Sequence, residues 1–278
     1  LPMRGHVPPP PGAYVETDLG VGGPMARNVD DLKMLWSVLR GTPEQKRREV
    51  KGARIAIWDE EKGFPLSAAV RDGVKRAGDA LAAQGAHVER AKPGIDTDQM
   101  MRSYMQLLVA VMAGGFPETL LADMEKTRAE DRTAYAAGAS LYGPEAYRLF
   151  ATARVSELAH AMVARQAQKD ALAEFFKSTD AIVMPITPVP AFAHDQSEPP
   201  ASRSVTIDNE TWPYFSMLSW IALATSLHAP ALAVQAGHTP EGLPVGVQIV
   251  GPWNSEDRLF DYAASIEDGT GGFKPPPL

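Results

Sequence analysis

Residues 228–252, HAPALAVQAGHTPEGLPVGVQIVGP, decide the fold. Two apolar runs, Ala231 to Val234 and Val245 to Val250, flank a loop carrying Pro240, Gly242 and Pro244, the pattern of two neighbouring strands joined by a turn. Neither run alternates cleanly between apolar and polar residues, so the pair is expected to be covered on both faces, inside a layered α/β structure. Asn254 and Ser255 then stand ahead of Glu256 and Asp257, an N-cap with an acidic first turn. Leu259, Tyr262, Ala263 and Ile266 follow at helical spacing. The chain therefore closes with strand, loop, strand and helix.

Moving outward, Thr179 to Pro190, TDAIVMPITPVP, reads as a buried strand running into a Pro-interrupted loop. In α/β sheets ligands sit at the carboxyl ends of strands, which makes Ile186 and Thr187 pocket candidates. The polar stretch up to Thr211 reads as loop, and Pro213 begins PYFSMLSWIALATSLH, expected to be a largely buried helix closed by His228. If that helix packs on the loop after Met184, then Thr187, Met217, Trp220 and Ile221 face one cavity. These four are the substrate-pocket candidates.

Further upstream, Arg54 to Trp58 (RIAIW) and His87 to Ala91 read as strands around a helix from Leu66 to Gly85, with Val70, Val74, Ala77 and Leu81 on one face. This grammar favours a parallel pair with a crossover connection. Residues 23–41 read as a helix capped by Asn28 and ended by Gly41. Residues 96–178 read as mainly helical: an apolar helix through Met100, and a long one from Gly143 and Pro144 to about Lys177. Residues 1–22, with the run Pro8 to Pro11, read as an extended surface loop, and residues 267–278 as a Pro-rich tail. The whole of residues 1–278 is read as part of a single domain.

Composition narrows the function. With 27 basic and 34 acidic residues the net charge is −7, and no basic cluster is denser than Lys46 to Arg48, so no nucleic-acid partner is expected. The absence of cysteine removes disulfides, thiolate metal sites and a cysteine nucleophile. The longest apolar stretches, such as Leu107 to Ala113, fall short of the roughly 20 residues a membrane span needs. No membrane partner is expected and the setting is read as cytoplasmic. His87, His160 and His228 read as structural, since no sequence neighbour orients them as bases or completes a metal-ligand spacing. Arg27, beside a helix start, reads as a solvated or carboxylate-paired cation. No G-x-S-x-G elbow, P-loop, dinucleotide fingerprint or H-E-x-x-H occurs, and none of the 14 serines lies in a Gly-rich turn. The residues by themselves define an α/β domain with its site unassigned.

Taken together, GPMARNVDDLKML, RIAIW, AIVMPITPVPAF and HAPALAVQAGHTPEGLPVGVQIVGP resemble the amidase signature family of hydrolases, in the same order and at similar separations. The resemblance covers nearly the whole chain, and GLPVGVQIVGP is its most specific piece. It implies an α/β/α sandwich around a mixed, twisted sheet, and hydrolysis of the C–N bond of a small-molecule amide by a Ser–cis-Ser–Lys triad without metal or cofactor. The family's triad lies in a Gly/Ser-rich signature expected upstream of Leu1. That signature and any Ser-Ser pair are absent from the 278 residues, so no catalytic residue carries over. These residues are therefore expected to supply sheet strands and part of the pocket wall, to be inactive alone, and to self-associate or pair with the N-terminal half. Two other readings are a non-catalytic binding or assembly subunit derived from the same fold, and, ranked last, an esterase built on Ser226 and His228.

Overall fold

The computed structural model describes residues 5–7, 18–197 and 200–275; the Pro8 to Pro11 run lies outside them. The expected closing pair is present, with β6 (Ala231–His238) antiparallel to β7 (Pro244–Val250). The parallel pair is present too: β1 (Arg54–Ile57) and β2 (His87–Arg90) flank helix α2 (Ala68–Ala83) in the chain. Between these pairs runs β3 (Ala181–Pro185), parallel to β1 and antiparallel to β7. The resulting sheet is mixed, five-stranded and ordered β2-β1-β3-β7-β6.

The two faces of the sheet follow from the period of two along each strand. In β3, Ala181 and Val183 join Ile55, Val247 and Ile249 on one face. There they meet Val74 and Leu81 of α2, Leu259 and Ile266 of α9 (Glu256–Thr270), and Trp36 of α1 (Val29–Arg40). Ile182 and Met184 point to the other face with Ala56 and Val250. That layer is built from α3 (Thr97–Ala113), α6 (Pro144–Ala151), α7 (Val155–Phe175) and α8 (Ala222–Leu227). The order helix, sheet, helix is the three-layer arrangement expected. The first layer is tight: a Cβ on Gly269 of α9 would lie 2.5 Å from Cβ of Ala80 in α2. Interior packing leaves no slack for that atom.

The helix termini obey local chemistry where a capping residue is free to act. Asn28 Oδ1 accepts from Asp31 N at 2.7 Å, and Gly41 closes α1 at φ 64°. Ser67 caps α2, which starts two residues later and ends two residues sooner than its apolar pattern predicts. Ser255 stands at the N-cap of α9 without a side-chain cap bond, Asn254 before it is at φ 66°, and α9 runs on to Thr270, shortening the expected tail.

Other expectations are corrected. The long helix from Pro144 breaks at Thr152 to Arg154. Buried Arg128, in α5 (Arg128–Ala136), donates to Leu149 O at 2.9 Å and Thr152 Oγ1 at 2.7 Å, while Glu157 accepts from Arg154 N at 2.7 Å. These bonds end one helix and begin the next. Another short helix, α4 (Glu118–Lys126), precedes α5. The loop expected up to Thr211 contains instead most of a hairpin, formed by β4 (Ser204–Ile207) and β5 (Glu210–Pro213). Pro213 ends that hairpin instead of starting a helix; a 3-10 turn over Tyr214–Leu218 follows, and only α8 is α-helical. The expectation that both closing strands are covered holds for β7. On β6, which has a sheet neighbour on one side only among the described residues, Ala233 is exposed. No helix among the described residues is long and apolar enough to cross a membrane.

The helical layer is cross-linked by charge. Asp131, almost fully buried, accepts from Arg148 Nε at 3.0 Å and Thr127 Oγ1 at 2.8 Å, and Arg148 above all holds its carboxyl below the usual range. Burial pushes Glu157 up, but the Arg154 amide and the Arg128 and Arg132 guanidinium groups outweigh it and leave this carboxyl lowered too. Both groups therefore contribute stability that is complete above an unfolded-chain pKa of about 4 and is lost as the pH falls through the lower folded values. Acid titration of unfolding should show stability falling below about pH 4. Asp131→Asn should flatten that slope and lower stability at neutral pH by about 2–4 kcal/mol; an unchanged slope would contradict the assignment.

Candidate functional site

Because β1 and β3 run parallel and β7 runs against them, the end of β3 and the start of β7 lie at the same edge of the sheet. Here the chain leaves β3 at Pro185 and turns through Ile186 and Thr187, and Thr187 Oγ1 donates to Val189 O at 2.8 Å. A cleft of about 250 Å3 opens at this edge. Its walls are the loop from Ile186 to Phe192, Met217 from the 3-10 turn, Val70 of α2, and Pro244 to Gly246 of β7. The side chains of the lining are apolar apart from Thr187, whose hydroxyl the backbone already engages.

Each wall is fixed from behind. Gln248, buried in β7, donates through Nε2 to Pro185 O at 2.8 Å and Trp220 O at 3.0 Å, joining the end of β3 to the segment that carries Met217. Pro188 O accepts from Ser67 N at 2.8 Å, which ties the loop to the start of α2. Asp208 and Asn209 turn the β4–β5 hairpin at φ 46° and 72°, a left-handed geometry short polar side chains tolerate. From that turn Asp208 Oδ2 accepts from Ala68 N at 2.8 Å, so the hairpin tip caps α2. Met217 packs with Val189, Val205, Ile207 and Trp212 in a small separate core.

The four pocket candidates divide. Thr187 and Met217 line the same cleft. Trp220 is fully buried behind it: Nε1 donates to Pro65 O at 2.8 Å, and the ring meets Phe64 and Trp58 edge-on at 5.3 and 6.0 Å. Ile221 is half-buried and is not among the lining residues. The geometry separates them because the segment is a 3-10 turn and not the helix whose spacing grouped them. Ser226 and His228 do not form a pair: Ser226 Oγ is buried without a hydrogen-bond partner among the described residues, while His228 Nδ1 lies 3.0 Å from Lys169 Nζ. Ser216 and Ser219 are also buried with hydroxyls that meet no partner among the described residues. Sequence reasoning missed Gln248, Asp208 and Phe192. Gln248 had a signal, as the one polar side chain inside the apolar run VGVQIV. No group of three or more His, Asp or Glu among the described residues is arranged to hold a metal ion.

The three-layer mixed sheet, with a cleft at the end of its central strand, defines an α/β protein. The profile of the Amidase family matches residues 2–260, and the chain belongs to that family. One subunit of a glutamyl-tRNA(Gln) amidotransferase from Clostridium botulinum is 27% identical over 281 residues, covering 91% of this chain and 55% of the relative. A fatty acid amide hydrolase of Medicago truncatula is 35% identical over a shorter 106 residues, 38% of this chain and 16% of the relative. Among solved structures, a bacterial aryl acylamidase of the amidase signature family superposes with a TM-score of 0.66 at 20% identity, covering 96% of this chain and 57% of that one. A crystal structure of an amidase gives 0.69 at 21%, covering 97% and 57%. The chain thus spans about half the length of the relatives it matches along most of its own.

The cleft should depend on its hidden tie. Gln248→Leu removes an amide that serves two buried carbonyls and should lower stability by about 1–3 kcal/mol in urea unfolding. The loss should come with a shift of the Met217 methyl resonance, because the wall it fixes moves. Unchanged stability and an unmoved methyl would show that Gln248 does not hold the site.

Proposed function

We propose that these residues form the substrate-wall part of a hydrolase that cleaves the C–N bond of a carboxamide, with its nucleophile and base supplied by residues outside this stretch. The observation that carries the reading is the coincidence of a family match over residues 2–260 with an apolar cleft at the carboxyl end of β3. In the complete enzyme a serine Oγ attacks the amide carbon, its proton passes through the bridging serine to the departing amine, and water then releases the acyl group. Backbone N–H groups near the nucleophile would hold the oxyanion. The part played here is positioning: Thr187, Met217 and the loop to Phe192 receive a compact apolar portion of the amide, since a charged group would find no partner in that lining. Trp220 acts behind this wall through Trp58 and Phe64, and Ile221 flanks it. β2 and β6 each have one sheet neighbour among the described residues, and an edge of this kind is a surface through which the chain would pair with the catalytic part or self-associate in its absence.

The 278-residue chain should show no turnover of simple anilides or activated esters, and a serine-directed fluorophosphonate should label none of its serines. Acetanilide should nonetheless perturb the Thr187 and Met217 resonances, and the charged analogue 4-acetamidobenzoate should not. A labelled serine within the chain would overturn the assignment of the nucleophile, and binding without effect on these two residues would overturn the wall.

A further inference from the structure

A second groove, of about 500 Å3, lies on the far side of the sheet from the 3-10 turn, along the head of β6. Its floor is Trp36, Leu232, Leu259 and Phe260, and its outer lip is a strap of chain from Asp18 to Asn28 on which Val21 is half-buried and Met25 exposed. The strap reads DLGVGGPMARN, with three glycines in four residues, so its backbone has wide conformational freedom. At one end it is anchored by α1: Asn28 caps the helix and Val29 N donates to Glu267 Oε2 at 3.1 Å.

The other end is held by Leu19, buried in the core of the opposite layer, and by a polar cluster around its neighbour Asp18. Arg165 of α7 donates to Asp18 Oδ2 at 2.6 Å. His228, which closes α8 three residues before β6, places Nε2 3.3 Å from Asp18 Oδ1, at ion-pair distance though not aligned as a hydrogen bond. Its Nδ1 lies 3.0 Å from Lys169 Nζ, so the two ring nitrogens face two different segments. Arg165 and His228 are nearly buried. His228 holds the Asp18 carboxyl well below its usual range; partial burial opposes this and Arg165 reinforces it. His228 also sits at φ 56°, ψ 33°, a left-handed conformation that glycine adopts without cost and that, among other residues, Asn, Asp and His take most readily. A histidine whose two ring nitrogens face two other segments points to a task for the side chain that a helix cap does not require.

We propose that residues 18–28 are a strap gating the groove along β6, and that Asp18, Arg165, Lys169 and His228 are its clasp. With the clasp closed, the strap is tied at both ends and both walls of the groove, strap and β6 head, meet at His228. With it open, burial of Leu19 alone holds that end, and the glycines at 20, 22 and 23 let the strap lift from Leu232 and Phe260.

The absence of native cysteine makes a direct test possible. In the full chain carrying Leu232→Cys as the single thiol, maleimide labelling is compared with and without His228→Gly. Glycine keeps the left-handed turn and deletes only the imidazole; Asp18→Asn serves as a second opening of the clasp. Labelling should accelerate about tenfold or more in either variant, the effect of losing one charge-assisted contact on a local opening equilibrium, while amide protection of Ile182 to Met184 in β3 stays unchanged. Amide exchange of residues 20–26 in the variants without the cysteine gives the same comparison should Leu232→Cys disturb the groove. Labelling and exchange that are unchanged or slower would reduce His228 to a helix cap and overturn the proposal. So would faster labelling accompanied by equal loss of protection in β3, which would make the cluster a general stabiliser of the fold and not a clasp.

Discussion

A strand buried on both faces has nowhere to send its backbone polar groups except sideways into its neighbours. β3 is such a strand, with all five residues buried. It meets the demand with β1 on one side in parallel and β7 on the other in antiparallel pairing. The start of the strand is aligned by a second set of bonds, in which Asp180 accepts from Arg54 N and from its guanidinium at 2.8 Å while Asp180 N donates to Arg54 O at 2.8 Å. Its far end is aligned by Trp58 N to Val183 O at 3.1 Å and by Gln248 on the carbonyl of Pro185.

This change of direction across one strand determines where a ligand can go. Parallel β1 and β3 end at the same edge, and antiparallel β7 begins there, so the loop after Pro185 and the turn into Pro244 meet over α2. Bulk withheld at Gly246, where a Cβ would come within 3.1 Å of Ile186 Cδ1, keeps that meeting place from being filled. Buried Asp59 just beyond β1 is matched by Arg90 and Arg71, so charge at this edge is neutralised away from the apolar cleft.

The parts of this arrangement legible in sequence are those in which a local rule and the tertiary structure agree. The hairpin of β6 and β7, the crossover through α2, the cap at Asn28 and the terminus at Gly41 all come from residue patterns that packing then reinforces. Sequence patterns mislead where a distant side chain takes a backbone group that a local reading assigns to a helix. Arg128, more than twenty residues away, takes Leu149 O and splits one helix into two; Gln248 takes Trp220 O and helps hold the segment after Pro213 as a turn. Apolar residues in a 3-10 turn and in a buried helix look alike in composition, which is why their spacing groups Trp220 and Ile221 with Met217. The position of Thr187, just past the end of a buried strand, is legible because the run AIVMP is apolar throughout. The groove under the strap leaves no signal in sequence, because its clasp joins residues 18, 165, 169 and 228 that only the fold brings together.

The central claim, that β3 is the element on which the others depend, is tested most directly by native-state amide hydrogen exchange resolved to single residues. The account predicts that Ile182, Val183 and Met184 exchange last, at the rate set by global unfolding. Val247 to Val250 of β7 should follow, and the exposed residues of β2 should exchange well before them. Exchange of the three β3 amides at the rate of β2, ahead of β7, would contradict it.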